Sequence, residues 1–405
     1  MNIKKIIKEE LSNILKETKK VDLKSLPFYV ELKSSGGNVY QVGGAVRDFF
    51  IGKESKDLDI VITGIPMDDL EKMLEKYGSV DLVGKSFGVL KFKAFGETED
   101  IDIAIPRTEK KIGDGHKGFE VSSDHTMPID KELFRRDLKI NSMAMDDEGN
   151  LVDPYGGMED IKNKKISLTN PDAFKDDPLR MLRSIGFSSR FNFEIDDNTF
   201  ESIKQNAHTI SEIPGERILA EFDKILTKGN KRLGLKLLVE SGLYKEMFGF
   251  DFKGNLSDID EAQDMGDFIY LMLKDSTEQP YAIFKNVLKG DLGSEKKIEA
   301  LTLTRGFDSS NSYKNMVLIF KMNKISPSSI DSPLLDNQLK KNVSQMRIGN
   351  YPLTIADLKI NGNDLMAVGI KGKEIGDAIG KSIHAIFDDK LKNNKEDILK
   401  FLKNE

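Results

Sequence analysis

Apolar positions in the first third of the chain tend to recur every second residue, and beyond about Asp153 they recur at helical spacing. The runs "VYQV", "DLDIVI", "VLKFKAF" and "DIDIAI" between Val39 and Ile105 read as strands, with a helix over Met67 to Tyr77 between them. That order predicts a mixed sheet with helices on it. Asp177 to Phe191, Ile213 to Leu226 and Leu233 to Met247 carry helical periodicity, and strand signals fade there. The predicted class is therefore α+β, a mixed-sheet head followed by helical regions. Arg107 to Asp124, "RTEKKIGDGHKGFEVSSD", is polar and glycine-punctuated and reads as a long mobile loop. "KISPSSIDSPLLDN", Lys324 to Asn337, reads as a connector between helical regions. Ile3, Ile7, Leu11 and Ile14 share one helical face in a stretch too charged for a secretory signal, so residues 1–22 are expected to form an amphipathic helix.

Composition narrows the chemistry. The chain has 405 residues and no cysteine, which excludes disulfides and thiolate metal sites and points to a cytoplasmic setting. Its four histidines are not closely spaced, so a zinc-type centre is not expected. No apolar run approaches the roughly 20 residues of a membrane span. The net charge of −6 argues against indiscriminate nucleic-acid binding, yet a local patch such as "KNKK" at Lys162 to Lys165 can still meet phosphates or simply be a solvated surface.

One segment gathers the candidate chemistry. "VGGAVRD" follows a strand and opens a helix, so Gly43 and Gly44 can expose backbone N–H groups to a phosphate, and Arg47 can add a bidentate contact. The alternative is a tight turn in which Arg47 pairs with Asp48 or Asp57. Downstream, Asp57 and Asp59 stand two residues apart in a β-branched run, which directs both carboxylates to one face. Either they are surface acids of an edge strand, or a divalent cation offsets their repulsion; hard Mg²⁺ combines a few carboxylates with substrate phosphates.

"GGAVRDFFIGKESKDLDIVI" resembles the signature of the class II tRNA nucleotidyltransferases, the CCA-adding enzymes and their bacterial poly(A) polymerase relatives, in the DNA polymerase beta nucleotidyltransferase superfamily. "RRDLKINSMAMD" at Arg135, "DPYGGMEDI" at Asp153, "DDPLRMLRSIGF" at Asp176 and "ERILAEFDKIL" at Glu216 are similar to the further family motifs, in family order. The tail "LTIADLKINGNDLMAVGIKGKEIG" is similar to the bacterial CCA-adding type. The resemblance implies an extension at 1–22, a catalytic head at 23–165, a helical neck at 166–230 that reads the nucleobase, and a tRNA-binding body at 231–345 and tail at 346–405.

It also implies roles. Asp57 and Asp59 would be the catalytic metal ligands, Gly44 and Arg47 would hold the incoming triphosphate, Arg136 would contact the nucleotide and Asp137 its ribose. Asp177 and Arg180 have a bland reading as a helix cap and a helix-face ion pair. In the family reading Asp177 accepts from an exocyclic amine and Arg180 donates to the adjacent ring nitrogen, an order that cytosine and adenine share and uracil and guanine lack. Arg183, one turn on, would reach phosphate. The chain departs from the family at Asp176, where glutamate is usual, and at Gly186, where arginine is common; Arg190 is a candidate substitute. Asp102 is either a third carboxylate that activates the RNA 3′-hydroxyl or a surface acid. The implied activity is Mg²⁺-dependent addition of CCA to tRNA from CTP and ATP, away from any membrane. Poly(A) synthesis, partial CC or A addition, and a catalytically inactive RNA-binding relative are the alternatives.

Overall fold

The computed structural model describes residues 22–53, 58–82, 89–111, 119–276, 280–308 and 311–404. The predicted N-terminal helix and Asp57 lie outside these residues. The chain divides into two compact units, Met1–Ile213 with Glu240–Glu246, and Pro214–Val239 with Met247–Glu405.

A seven-stranded mixed sheet organises the first unit, in the order β3-β4-β5-β2-β1-β8-β9. Its strands are β1 (Asn38–Val42), β2 (Asp59–Thr63), β3 (Gly78–Leu82), β4 (Val89–Ala94), β5 (Ile101–Ala104), β8 (Ala144–Asp146) and β9 (Leu151–Val152). Only β2 and β5 pair in parallel. Alternation sends Ile60 and Ile62 into a core with Leu32, Leu70, Leu74, Phe92 and Ile103. Val61 points the other way, to Val42, Leu133 and Ala144. Asp59 shares the Val61 face, so the β2 strand places its acid opposite the larger core.

The segment expected to be a long loop begins and ends as strands. Arg107–Lys111 (β6) pairs antiparallel with Phe119–Ser123 (β7) in a separate two-stranded sheet. Among the described residues β6 and β7 pair only with each other, apart from the seven-stranded sheet.

The helix Leu179–Phe191 falls inside the predicted Asp177 to Phe191, and Gly215–Lys228 answers the next prediction. Leu233 to Met247 is not one helix; Lys231–Glu240 and Leu243–Phe248 are separated at Gly242, whose φ of +81° suits glycine. The second unit is helical, around Phe222, Phe268, Phe284, Leu301 and Met322. There Gly215 lets the helix Gly215–Lys228 approach another backbone, since a Cβ would lie 2.3 Å from the Val287 carbonyl. The Lys324 to Asn337 connector does join two helices, Ser312–Ile325 and Asn337–Ile348, through one short 3₁₀ turn.

Candidate active site

The site is built at the ends of β1, β2 and β5. After β1 the chain turns at Gly43, with φ +69°, and enters the helix Gly44–Ile51, which Gly52 ends in the left-handed region. That positive φ favours glycine at 43, and a Cβ there would lie 2.7 Å from Arg136 Nη1 and 3.8 Å from Asp59 Oδ2. The turn, Arg136 and Asp59 therefore converge.

Asp59 opens β2 and pairs in register with Asp102 on β5. Neighbours in a parallel ladder project to one face, so two half-buried carboxylates stand side by side. Lys91 on β4 is the partner of Asp102 on its other side. Among the described residues no cluster of three or more metal-binding groups forms, and Asp57 is not among them. The donors present are hard oxygens, and two such carboxylates in register suit a hard divalent cation together with phosphate oxygens.

Arg136 follows the helix Ile129–Phe134, whose Glu132 is fully buried. Glu132 accepts from Arg135 through both carboxylate oxygens and from the Arg107 N–H at 3.3 Å, and lies 4.0 Å from Arg136 Nη2. Burial holds the Arg136 guanidinium below its ordinary pKa, and Glu132 opposes that shift. Its Nε is buried without a hydrogen-bond partner. Arg180, in the first turn of Leu179–Phe191, donates from Nη2 to the Arg135 carbonyl at 3.0 Å, while its buried Nη1 has no partner.

Arg47 is engaged differently. Its Nε donates to Asp48 at 2.8 Å, its Nη1 to Asn141, and its guanidinium lies 5.0 Å from the centroids of both Phe187 and Phe191. Arg47 is thus paired with Asp48, the alternative that the sequence left open. Burial pulls its pKa below the usual value, against the pull of Asp48. Gly44 lies directly beneath, since a Cβ there would meet Arg47 Nη2 at 3.4 Å.

Asp137 is buried and accepts from its own Leu138 N–H (2.8 Å), from Asn141 Nδ2 (3.0 Å) and from Arg183 through Nε and Nη2, both at 2.7 Å. Burial alone would raise its pKa, but Arg183 and the hydrogen bonds prevail and hold it below the usual carboxylate range. These bonds use all four acceptor positions of the carboxylate, so a ribose contact requires Arg183 to move. Asp177 accepts from the Leu179 N–H at 3.1 Å, the capping geometry. Gly186 is buried in the same helix, and Arg190, one turn on, lies 3.6 Å from Asp48.

Residues 39–167 match the poly A polymerase head domain family, 192–249 the family described as a probable RNA and SrmB-binding site of polymerase A, and 293–402 the putative tRNA nucleotidyltransferase domain 2. The CCA-adding enzyme of Bacillus subtilis is 31% identical over 406 residues, covering 95% of this chain and 98% of that one. The chain belongs to the family of CCA-adding tRNA nucleotidyltransferases. The CCA-adding enzyme of Ligilactobacillus salivarius is 29% identical over 92% of this chain and 94% of its own. The solved Bacillus stearothermophilus CCA-adding enzyme in complex with CTP has a TM-score of 0.70 at 22% identity, over 94% of this chain and 96% of that one. That of Thermotoga maritima complexed with tRNA has a TM-score of 0.68 at 22% identity, over 97% and 98%. At such identity these two establish the fold.

Within this CCA-adding frame, the sequence did not single out Glu132, Asn141, Phe187 or Phe191. Asp153 was marked in the sequence only as the start of a family-like motif. It accepts from the Gly156, Gly157 and Met158 N–H groups and starts the helix Gly157–Asn163.

Proposed function

We propose that this chain adds C, C and A to the 3′ end of tRNA without a template, from CTP and ATP, releasing pyrophosphate. The observation that carries this reading is the convergence of the in-register Asp59 and Asp102 with the Gly43 turn and with two arginines, Arg136 and Arg180, that hold unpartnered N–H groups. The tRNA 3′-oxygen bonds to the α-phosphorus of the nucleotide as the bond from that phosphorus to the bridging oxygen breaks. Asp102 is the carboxylate offered as acceptor of the hydroxyl proton. Asp57 and Asp59 would hold Mg²⁺, which when bound supplies Lewis-acid polarisation of phosphate oxygens.

The Gly43–Gly44 turn receives the triphosphate, with Arg47 fixing its shape, and Arg136 neutralises developing charge. Arg183, held by Asp137, stands toward phosphate. Asp177 and Arg180 read the shared edge of cytosine and adenine; the unsatisfied Arg180 Nη1 supports a ligand there, because a buried cation is costly without an acceptor. The helices beyond Ile166 form the neck, body and tail that grip tRNA by shape and phosphate. Among the described residues no helix is long and apolar enough to cross a membrane, and we place the enzyme in the cytoplasm.

The test supplies purified protein and Mg²⁺ with tRNAs ending before the first C, the second C or the final A, and with CTP and ATP singly and together. Extension that stops at CCA is expected, and Asp59→Ala abolishes it while tRNA binding persists. Long adenosine tails would assign a poly(A) polymerase, a stop at CC a partial enzyme. No extension by the unaltered chain would leave an inactive RNA-binding relative.

A further inference from the structure

Asn141 sits between two parts of the site that the proposed function assigns to different ends of a nucleotide. Its Oδ1 accepts from Arg47 Nη1 and its Nδ2 donates to Asp137 Oδ1 at 3.0 Å. An arginine can only donate and an ionised carboxylate can only accept, so this amide has one satisfactory orientation. The side chain is buried and its backbone is braced. It ends the 3₁₀ turn Lys139–Asn141, against which Gly157 packs so closely that a Cβ would lie 2.3 Å from the Lys139 carbonyl.

From Asn141 the contacts run in a closed circuit. Arg47 belongs to the helix that begins at the phosphate-binding turn, and it rests on Phe187 and Phe191 of the helix Leu179–Phe191. Asp137 holds Arg183 of that same helix, and the Arg183 guanidinium lies 5.6 Å from the Phe187 centroid. An aromatic route and a polar route through Asn141 thus join the two helices, beside the direct contact of Arg190 with Asp48 at 3.6 Å. The joined helices are the ones whose spacing a nucleotide must match. The turn takes its phosphates, and Arg180 on the second helix takes its base.

We propose that Asn141 is a positioning residue for nucleotide transfer, which sets the phosphate-binding turn and the helix carrying Arg180 in one register; this rests on the nucleotidyl transfer proposed above. Without the amide bridge, Arg47 and the Asp137–Arg183 pair lose their common anchor. A misplacement of about 1 Å between anchoring groups costs on the order of 100-fold in such reactions. Partial retention through the aromatic route reduces the expected loss to about tenfold.

Asn141→Asp is nearly isosteric; it keeps the acceptor for Arg47 and sets a second carboxylate against Asp137. Initial rates on tRNA lacking CCA are measured with CTP, ATP and UTP, beside circular dichroism at the assay temperature. In a folded variant, KM for CTP and for ATP rises about tenfold and the preference for CTP over UTP falls about tenfold. A folded variant whose KM values and preference stay within about twofold of the parent overturns the inference, since a residue that merely supports the fold moves neither once folding is secured. If Asn141→Asp does not fold, Asn141→Ser is read by the same criteria, and failure of both to fold also overturns it. Parent protein that does not extend tRNA defeats the functional reading instead, so the two failures are distinct.

Discussion

Two groups of arginine stand in one site and differ in what remains for them to bind. Around the helix Gly44–Ile51, Arg47 has Asp48, Asn141 and two aromatic faces, and Arg183 reaches one oxygen of the buried Asp137 carboxylate through two nitrogens. Where Leu179–Phe191 begins, Arg180 and its neighbour Arg136 each bury an N–H without an acceptor. A buried donor left unmade costs about 1–3 kcal/mol, more when charged, so the second pair is maintained at a cost to the empty protein that a ligand can offset. The first pair has its polar groups met within the protein, and the unmet N–H groups of the second are the ones we propose a ligand satisfies.

The sharpest way to break this distinction is Arg180→Ala. Loss of its donor removes the penalty that a mismatched base edge suffers, so the ratio of kcat/KM for CTP over UTP is expected to fall on the order of 100-fold or more. Single-nucleotide incorporation with each triphosphate measures it. An unchanged ratio would reduce Arg180 to its bond with the Arg135 carbonyl, a purely structural role.

How far the sequence reached follows the same division. Strand alternation drew attention to Asp59, and the glycines of "VGGAVRD" marked the turn, because backbone geometry constrains those residue types locally. The sequence raised Asp102 as a third carboxylate but left it level with a surface acid, since its pairing with Asp59 depends on which strand β5 joins, a contact between residues 43 positions apart. Glu132 was not singled out in the sequence. Its burial arises from Arg135 and the Arg107 N–H, which are supplied by tertiary packing. Phe187 and Phe191 were not singled out either, and only the fold brings Arg47 onto them. In the opposite direction, "RTEKK" and "FEVSS" are paired strands within a segment that the sequence read as a loop, because "RTEKK" carries no apolar position and "FEVSS" alternates over three residues alone.

A smaller effect tests the paired group. Arg47→Lys keeps the charge but cannot lie flat on two rings while bridging Asp48 and Asn141. The loss is expected mainly in stability, about 2 kcal/mol, from one charge-assisted bond and part of the aromatic contact. Thermal melting should fall by several degrees, with a smaller change in nucleotide KM than Arg180→Ala produces. A KM that rises steeply at unchanged melting temperature would move Arg47 into the group that waits for ligand.

Arg190→Ala should have the smallest consequence, and it decides whether a turn's displacement along the helix can replace the arginine absent at Gly186. Arg190 lies 3.6 Å from Asp48, with 31% of its side chain exposed, and 4.9 Å from the Phe191 centroid. Asp48 is already bound by Arg47 at 2.8 Å, so Arg190 adds a second, longer and more solvated attraction. Pairs of that kind contribute under about 1 kcal/mol. If its work is to support Asp48, Arg190→Ala lowers stability by that amount, high salt erases the difference, and KM for CTP and ATP shifts by less than about threefold. If it has taken over a nucleotide contact, KM rises about tenfold or more with little change in melting. Arg190 would then join Arg136 and Arg180 despite its visible partner, because an exposed pair is easily exchanged for a phosphate.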